Sequence, residues 1–364
     1  MTMTPKQRIQ AVLRGELPDR VPLTVYRHHI PTGEDERRLR ERGLAFHHRV
    51  AGFKTTTPNC TSERYRYEEG GNSFEREVLR TPVGEVTALQ RLGTAYGSNW
   101  TVEHFIKRPE DYRVIQFVTD DTVFEPNVDA IRQAQADLGE DGWVSANTRY
   151  SAMHRLMQVY TGVEQFCYDW ADHPEEVMSL YEAMVAAERR FFPLFKELPT
   201  EVVYYCGNVS GEVVGGERFE KYYLPRYNEC GEYLHEAGKL MASHQDAILR
   251  PFIHHLAGSR LDIIEAFTPE PDTDISVREA REIFGDKILW MNFPSSVHLA
   301  DREGVRRATE HILDQIGDGD RFILGNTEAI PDFAWRTSLS GILDVLEARG
   351  AAGPPPAAGP LPAF

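Results

Sequence analysis

From about residue 128 to residue 348 the chain alternates between short apolar runs and longer amphipathic stretches, and this rhythm constrains the fold more than any other feature. Apolar runs at 143–147, 201–206, 239–243, 262–266, 288–292 and 322–324 read as strands. Stretches at 128–139, 174–195, 217–237, 248–257, 277–284, 302–316 and 333–348 carry the helical period. Strands separated by helices cannot turn back on each other directly. They must run parallel, each joined to the next by a right-handed crossover. A further short β-type run, 19–26, follows a helix that Thr4, Pro5 and Gln7 start as N-cap, first helical residue and capping-box partner. One early strand plus six later ones suits an eight-stranded α/β barrel. An open doubly wound sheet is the competing architecture, and no G-x-G-x-x-G follows any strand to favour it.

Residues 45–130 break the rhythm. They are rich in strand and turn signals without clear helices, and 74–79 and 85–89 flank a turn through Pro82 and Gly84 that reads as a hairpin. The expectation is a (β/α)8 TIM barrel with an N-terminal strand-rich elaboration, one domain over 1–349. The last segment, 350–364, is almost entirely Ala, Pro and Gly and is expected to be a disordered tail.

Net charge narrows the function classes. A formal charge of −16 leaves no basic surplus to displace counterions from phosphates, so a nucleic-acid partner is not expected. A local arginine cluster can still serve an anionic substrate. No apolar run approaches a membrane span, and the first residues lack the apolar core of a signal peptide. Cys60, Cys167, Cys206 and Cys230 are scattered without metal or disulfide spacing, which fits a reducing cytoplasm.

In a barrel the active site lies just past the C-terminal ends of the strands. Those positions here are polar in succession: Arg27, His28 and His29; Asn147, Arg149 and Tyr150; Asn208; His244 and Asp246; Glu265; Asn292; Asn326 and Glu328. One such residue alone is usually a cap. Seven consecutive strand ends of this kind indicate a pocket, because charges inside a barrel without partners are costly. His244 and Asp246 share a strand face, and Glu328 closes another apolar run. Imidazole with two carboxylates can hold a divalent metal. The plainer alternative is a buried His244–Asp246 ion pair with Glu328 capping a turn. Asn208 and Glu265 are the candidate catalytic groups; Arg27, His28, Arg149, Tyr150 and Asn292 are the candidate substrate-binding groups. His254 and His255 sit in a helical pattern, 213–216 reads as a turn, and Trp170, Tyr222 and Tyr223 read as helix packing.

Several segments together resemble the uroporphyrinogen decarboxylase superfamily. They are 4–15 followed by Asp19-Arg20-Val21-Pro22, then 217–225 followed by His235 to Gly238 and the His244 strand, and finally 322–325 with Ile330-Pro331. The resemblance covers most of 4–348 and is weakest over 45–130; it implies a (β/α)8 barrel, often a homodimer. True decarboxylases of the family use no metal and carry an Arg-rich N-terminal motif; here that stretch is Tyr26 to Pro31 with the single Arg27. The methylcobamide methyltransferase branch holds zinc with His-x-Cys on one strand and a Cys near the last. Aligned on His244 and 322–331, those thiolates become Asp246 and Glu328, which implies a harder metal centre acting on an oxygen-bearing substrate.

Three functions follow as expectations. The first is a zinc-type methyltransferase or demethylase with a small anionic substrate and a corrinoid protein as methyl carrier. The second is a decarboxylase or lyase using His244 and Asp246 as acid and base. The third is a non-enzymatic scaffold for a corrinoid partner. Metal content separates the first from the others.

Overall fold

The computed structural model describes residues 2–95, 98–317 and 319–350. The tail expected to be disordered lies, from residue 351, outside the described residues. The chain divides into two compact units, 1–51 with 128–147 and 199–364, and 52–127 with 148–198.

The first unit is a closed parallel barrel of eight strands. They are β1 (Leu23–Tyr26), β2 (Leu44–Ala51), β3 (Gly142–Asn147), β4 (Val202–Gly207), β5 (Leu240–His244), β6 (Ile263–Phe267), β7 (Ile288–Asn292) and β8 (Phe322–Asn326). Each pairs with its neighbours in chain order, and β8 returns to β1 with Leu324 beside Leu23. Seven of the eight fall where the alternation places them. The eighth, β2, lies inside the stretch assigned from sequence to the elaboration. Its residues run Leu44, Ala45, Phe46, His47, His48, Arg49, Val50, Ala51. Because Ala45, His47 and Arg49 take the same face, it offers no apolar run.

Inward-facing residues stack in layers. Ala45, Trp143, Val202, Tyr204, Ala242, Ile263, Ile288, Trp290 and Ile323 form one buried cluster, and Ile9, Val12 and Leu13 of the first helix join it. That helix, α1 (Pro5–Leu13), starts with the expected reciprocal cap: Thr4 Oγ1 accepts from Gln7 N at 3.2 Å, and Gln7 Oε1 accepts from Thr4 N at 2.9 Å. Above the apolar layers the inward positions turn polar. The same two-residue period that buries Ala242 and Ile263 therefore delivers His244 and Glu265 to the C-terminal end.

Helical segments differ from the sequence reading where backbone geometry intervenes. The stretch at 248–257 shortens to α2 (Ile253–Ala257), since Pro251 has no N–H for an earlier turn. The stretch at 217–237 becomes Leu224–Glu236 preceded by a wider turn at Phe219–Tyr223.

The second unit contains a four-stranded antiparallel sheet, Thr61–Glu69, Asn72–Thr81, Gly84–Ala95 and Ser98–Glu103, in chain order. The expected hairpin is there, with Thr81 opposite Gly84. A separate antiparallel pair joins Phe53–Thr56 to Val123–Pro126. A helix at Tyr112–Asp121, not read from the sequence, interrupts these strands.

Candidate active site

Glu265 is the centre of the polar layer. It is 0% exposed, and its Oε1 accepts from the Tyr26 hydroxyl at 2.6 Å while its Oε2 accepts from His244 Nδ1 at 2.7 Å. Arg49 Nη1 donates to the Tyr26 oxygen at 2.6 Å and lies 3.9 Å from Glu265 Oε2; Arg49 Nη2 donates to Asn147 Oδ1 at 3.1 Å. Burial alone would raise a carboxyl in this position. The His244 and Arg49 charges and the His244 hydrogen bond outweigh it and hold Glu265 at about 2. Burial pushes the Tyr26 hydroxyl well up, reinforced by the Glu265 charge, so Tyr26 stays a donor.

His244 is held at both nitrogens. Nδ1 faces Glu265, and Nε2 lies 3.2 Å from Asp246 Oδ2. Burial would lower the imidazole, but the two carboxylates carry it up to about 9. The residue between them, Gln245, points the other way and donates to Ser243 Oγ at 2.8 Å and to the Tyr227 hydroxyl at 3.1 Å. The strand-end periodicity that brings His244 and Asp246 together thus persists past the strand. Glu328 is half-buried, and its carboxyl is raised by burial and then by the Asp246 charge, with His244 acting in the opposite sense. The three expected ligands therefore belong to one electrostatic cluster. Among the described residues, however, no group of three His, Cys, Asp or Glu side chains stands close enough to hold an ion.

Backbone irregularity collects at the same place. The pairing register shifts in β4 between Tyr204 and Gly207, and in β6 between Glu265 and Phe267. Asn208 (φ 55°) and Ala266 (φ 60°) are the non-glycine residues with positive φ among those described. Such bulges and strained conformations commonly re-aim side chains at functional sites. Gly207 has φ +149°, and a Cβ there would sit 2.7 Å from His244 Cβ. Only a glycine lets β4 pass this close to the imidazole-bearing residue.

The remaining sequence candidates separate. Asn208 is exposed, and its N–H donates to His244 O at 3.0 Å. Arg27 and His28 are exposed; the Arg27 guanidinium lies 5.2 Å from the Phe46 ring centroid, and His28 stacks on Tyr26 at 5.9 Å. Asn292 is 1% exposed and engaged at both ends, accepting from Thr327 N at 2.9 Å and donating to Thr268 Oγ1 at 3.2 Å. It braces β7 against the segment leading to Glu328. Arg149 and Tyr150 belong to the second unit, where Tyr150 packs edge-on against His154 at 4.8 Å.

Four groups escaped the sequence reading: Tyr26, His47, Arg49 and His298. The first lay inside a predicted strand, the next two on the missed strand. His47 is buried and held by desolvation at about 3; its Nε2 lies 3.1 Å from Ser145 Oγ and its ring stacks on Trp290 at 4.4 Å. His298 lies 2.6 Å by Nδ1 from Ser338 Oγ, and 3.0 Å by Nε2 from Asn326 Oδ1. Asn326 Nδ2 in turn donates to Glu328 O at 2.8 Å. Nothing in the strand-end pattern points to this third line of support.

A cavity of about 540 Å³ opens at the opposite end of the barrel, among Leu240, Asp262, Ile288 and Arg321 at the strand starts. Its half-buried lysine is already committed, since Lys287 Nζ donates to Ser259 O at 2.8 Å and to Leu261 O at 2.5 Å. Barrel chemistry belongs to the other end.

No family model and no curated protein matches the sequence. Among solved structures, a methyltransferase from Methanosarcina mazei superposes with a TM-score of 0.54 over 95% of this chain and 99% of its own, at 11% identity. A B12-independent methionine synthase from Shewanella sp. W3-18-1, in complex with selenomethionine, covers 86% of each chain at 10% identity with a TM-score of 0.39. The first likeness is one of fold. Among the described residues no helix is long and apolar enough to cross a membrane.

Proposed function

We propose that the protein is a metal-dependent methyltransferase or demethylase of the uroporphyrinogen decarboxylase superfamily, acting on a small anionic substrate through an oxygen atom. The observation that carries this reading is His244 fixed by Glu265 at Nδ1 with Nε2 turned to Asp246 Oδ2 at 3.2 Å. Two donors of a tetrahedral zinc ion, each at about 2.0–2.1 Å, stand roughly 3.3 Å apart, so this pair fits. A carboxylate on the other imidazole nitrogen is the usual orienting partner of a metal-bound histidine. Glu328, whose carboxyl feels the charges of Asp246 and His244, would be the third ligand of this reading.

When bound, a zinc-like ion supplies a Lewis acid that polarises a substrate or acceptor oxygen. The chain's own groups do the rest. Glu265 keeps the Nδ1 proton in place and fixes the imidazole plane. The His244 imidazolium and Arg49 hold Glu265 ionised, and the Tyr26 hydroxyl orients it. Arg27 and His28, exposed after β1, meet the substrate anion, and a corrinoid protein serves as methyl carrier. The protein is expected in the cytoplasm as a homodimer.

Elemental analysis of the purified, zinc-reconstituted protein tests the proposal. About one ion per chain is expected, falling several-fold in Glu328→Ala and in Asp246→Ala. No bound ion in the wild type defeats it. A second reading has its own support: an imidazole raised to about 9 between two carboxylates is a proton carrier without any metal. In that case the reaction is a decarboxylation with His244 and Asp246 as acid and base, and activity persists in chelator.

A further inference from the structure

In the second unit three arginines gather without an acid. Arg149 is half-buried, and its guanidinium lies 5.0 Å from the Phe124 ring centroid; that of Arg190 lies 6.0 Å from the same ring. Arg155 stacks on Tyr160 at 5.1 Å and donates to its hydroxyl. Arg190 Nη2 is partly engaged, donating to Thr119 O at 2.6 Å and Thr122 O at 3.3 Å. The Arg149 guanidinium makes no hydrogen bond or ion pair among the described residues, its main-chain O alone accepting from Thr148 Oγ1 at 3.4 Å, and among those residues no Asp or Glu forms an ion pair with any of the three. Burial first, then the charges of Arg155 and Arg190, hold the Arg149 guanidinium down at about 10.

A guanidinium left this way is unusual. Half-buried charges normally find a counter-charge, and a planar fork with five donors is suited to oxyanions. The Phe124 ring packs against the Arg149 guanidinium, whose N–H edge carries no protein acceptor, while Arg155 and Arg190 spend part of theirs on Tyr160, Thr119 and Thr122 and add positive charge beside it. We infer that Arg149, Arg155 and Arg190 form a binding site for a small oxyanion carrying two or more negative charges, a phosphate or a dicarboxylate. The site is built wholly from the second unit and stands apart from the metal reading, so either can fail alone.

Calorimetric titration of the full chain with inorganic phosphate and, separately, malonate tests it, with chloride at matched ionic strength as control. Saturable binding of one of the two is expected and identifies the anion class. Arg149→Met should weaken that binding at least tenfold, and Arg155→Gln should weaken it as well. Without anion, Arg149→Met should melt at or above the wild-type temperature, because the substitution removes a repelling charge. A structural arginine would behave in the opposite way. The proposal is overturned if neither anion binds the wild type, or if Arg149→Met binds both as the wild type does. Should Arg149→Met not fold, Arg149→Lys keeps the charge and loses the fork, and the same tenfold loss is then required of it.

Discussion

His298 should make the protein lose stability on mild acidification, and by an amount that can be isolated. The ring is buried and held at about 4, mainly by desolvation, against 6.5 for an ordinary imidazole. Its partners set the tautomer: Nε2–H donates to Asn326 Oδ1, whose own Nδ2 faces Glu328 O, and Nδ1 accepts from the Ser338 hydroxyl. The neutral ring is the native form. Between pH 6.5 and 4 the unfolded chain binds a proton that the folded chain refuses, so stability falls as pH falls. The full shift corresponds to about 3 kcal/mol, and the part developed between pH 7 and pH 5 to about 2 kcal/mol. Other buried histidines contribute in the same sense, so the comparison needs a variant. Urea denaturation of the wild type and His298→Gln at both pH values gives the answer. The wild-type advantage at pH 7 should shrink by about 2 kcal/mol at pH 5. An advantage of equal size at the two pH values would falsify the assignment of a neutral, desolvated imidazole.

Glu265→Gln removes the charge that raises His244, so the His244 imidazole should titrate clearly lower in NMR, with a stability loss of about 3–5 kcal/mol from the uncompensated Arg49. Gly207→Ala should displace His244 and lower activity more than stability, seen as a larger change in kcat than in urea midpoint. Asp246→Cys should keep zinc but weaken manganese, because sulfur is the softer donor; competition titration that leaves the zinc-to-manganese ratio unchanged would place Asp246 outside the metal shell. Thr4→Ala should cost about 1 kcal/mol through the lost cap of α1, measured by denaturation.

The barrel was legible because most of its strands are buried on both faces and therefore read as apolar runs. The strand β2 was not, for the reason that makes it useful: Arg49 stands on the face that meets Glu265, and a strand serving a polar layer loses its apolar signature. His244 and Asp246 were found by a period of two that needs no tertiary knowledge. Tyr26 was passed over because a tyrosine ending an apolar strand looks like core, and its role depends on a partner 239 residues away. His298 lies in a short turn, Ser295–Leu299, after β7, and only the closed barrel brings it to Asn326. Long-range polar contacts leave no local pattern.

The pairing of Phe53–Thr56 with Val123–Pro126 has a consequence for how the chain is assembled. β2 and β3 are barrel neighbours from Phe46–Gly142 to Ala51–Asn147, although the intervening chain carries an entire extra sheet. That intervening chain is closed on itself, since Asn127 N donates to Gly52 O at 2.8 Å and Phe53 stands opposite Pro126. Once this clasp forms, the connection from β2 to β3 behaves like an ordinary crossover through the helix Val128–Leu138. An open excursion about three times longer than a usual crossover would add about 1 kcal/mol of closure entropy, and the clasp removes it. The clasp thus isolates the register of the two strands that carry Arg49 and Asn147 from the length of the chain between them: the loops joining the strands of the extra sheet can lengthen or shorten, while the segment 112–124 stays tied to 148–198 through Asp169, Arg190 and Arg149.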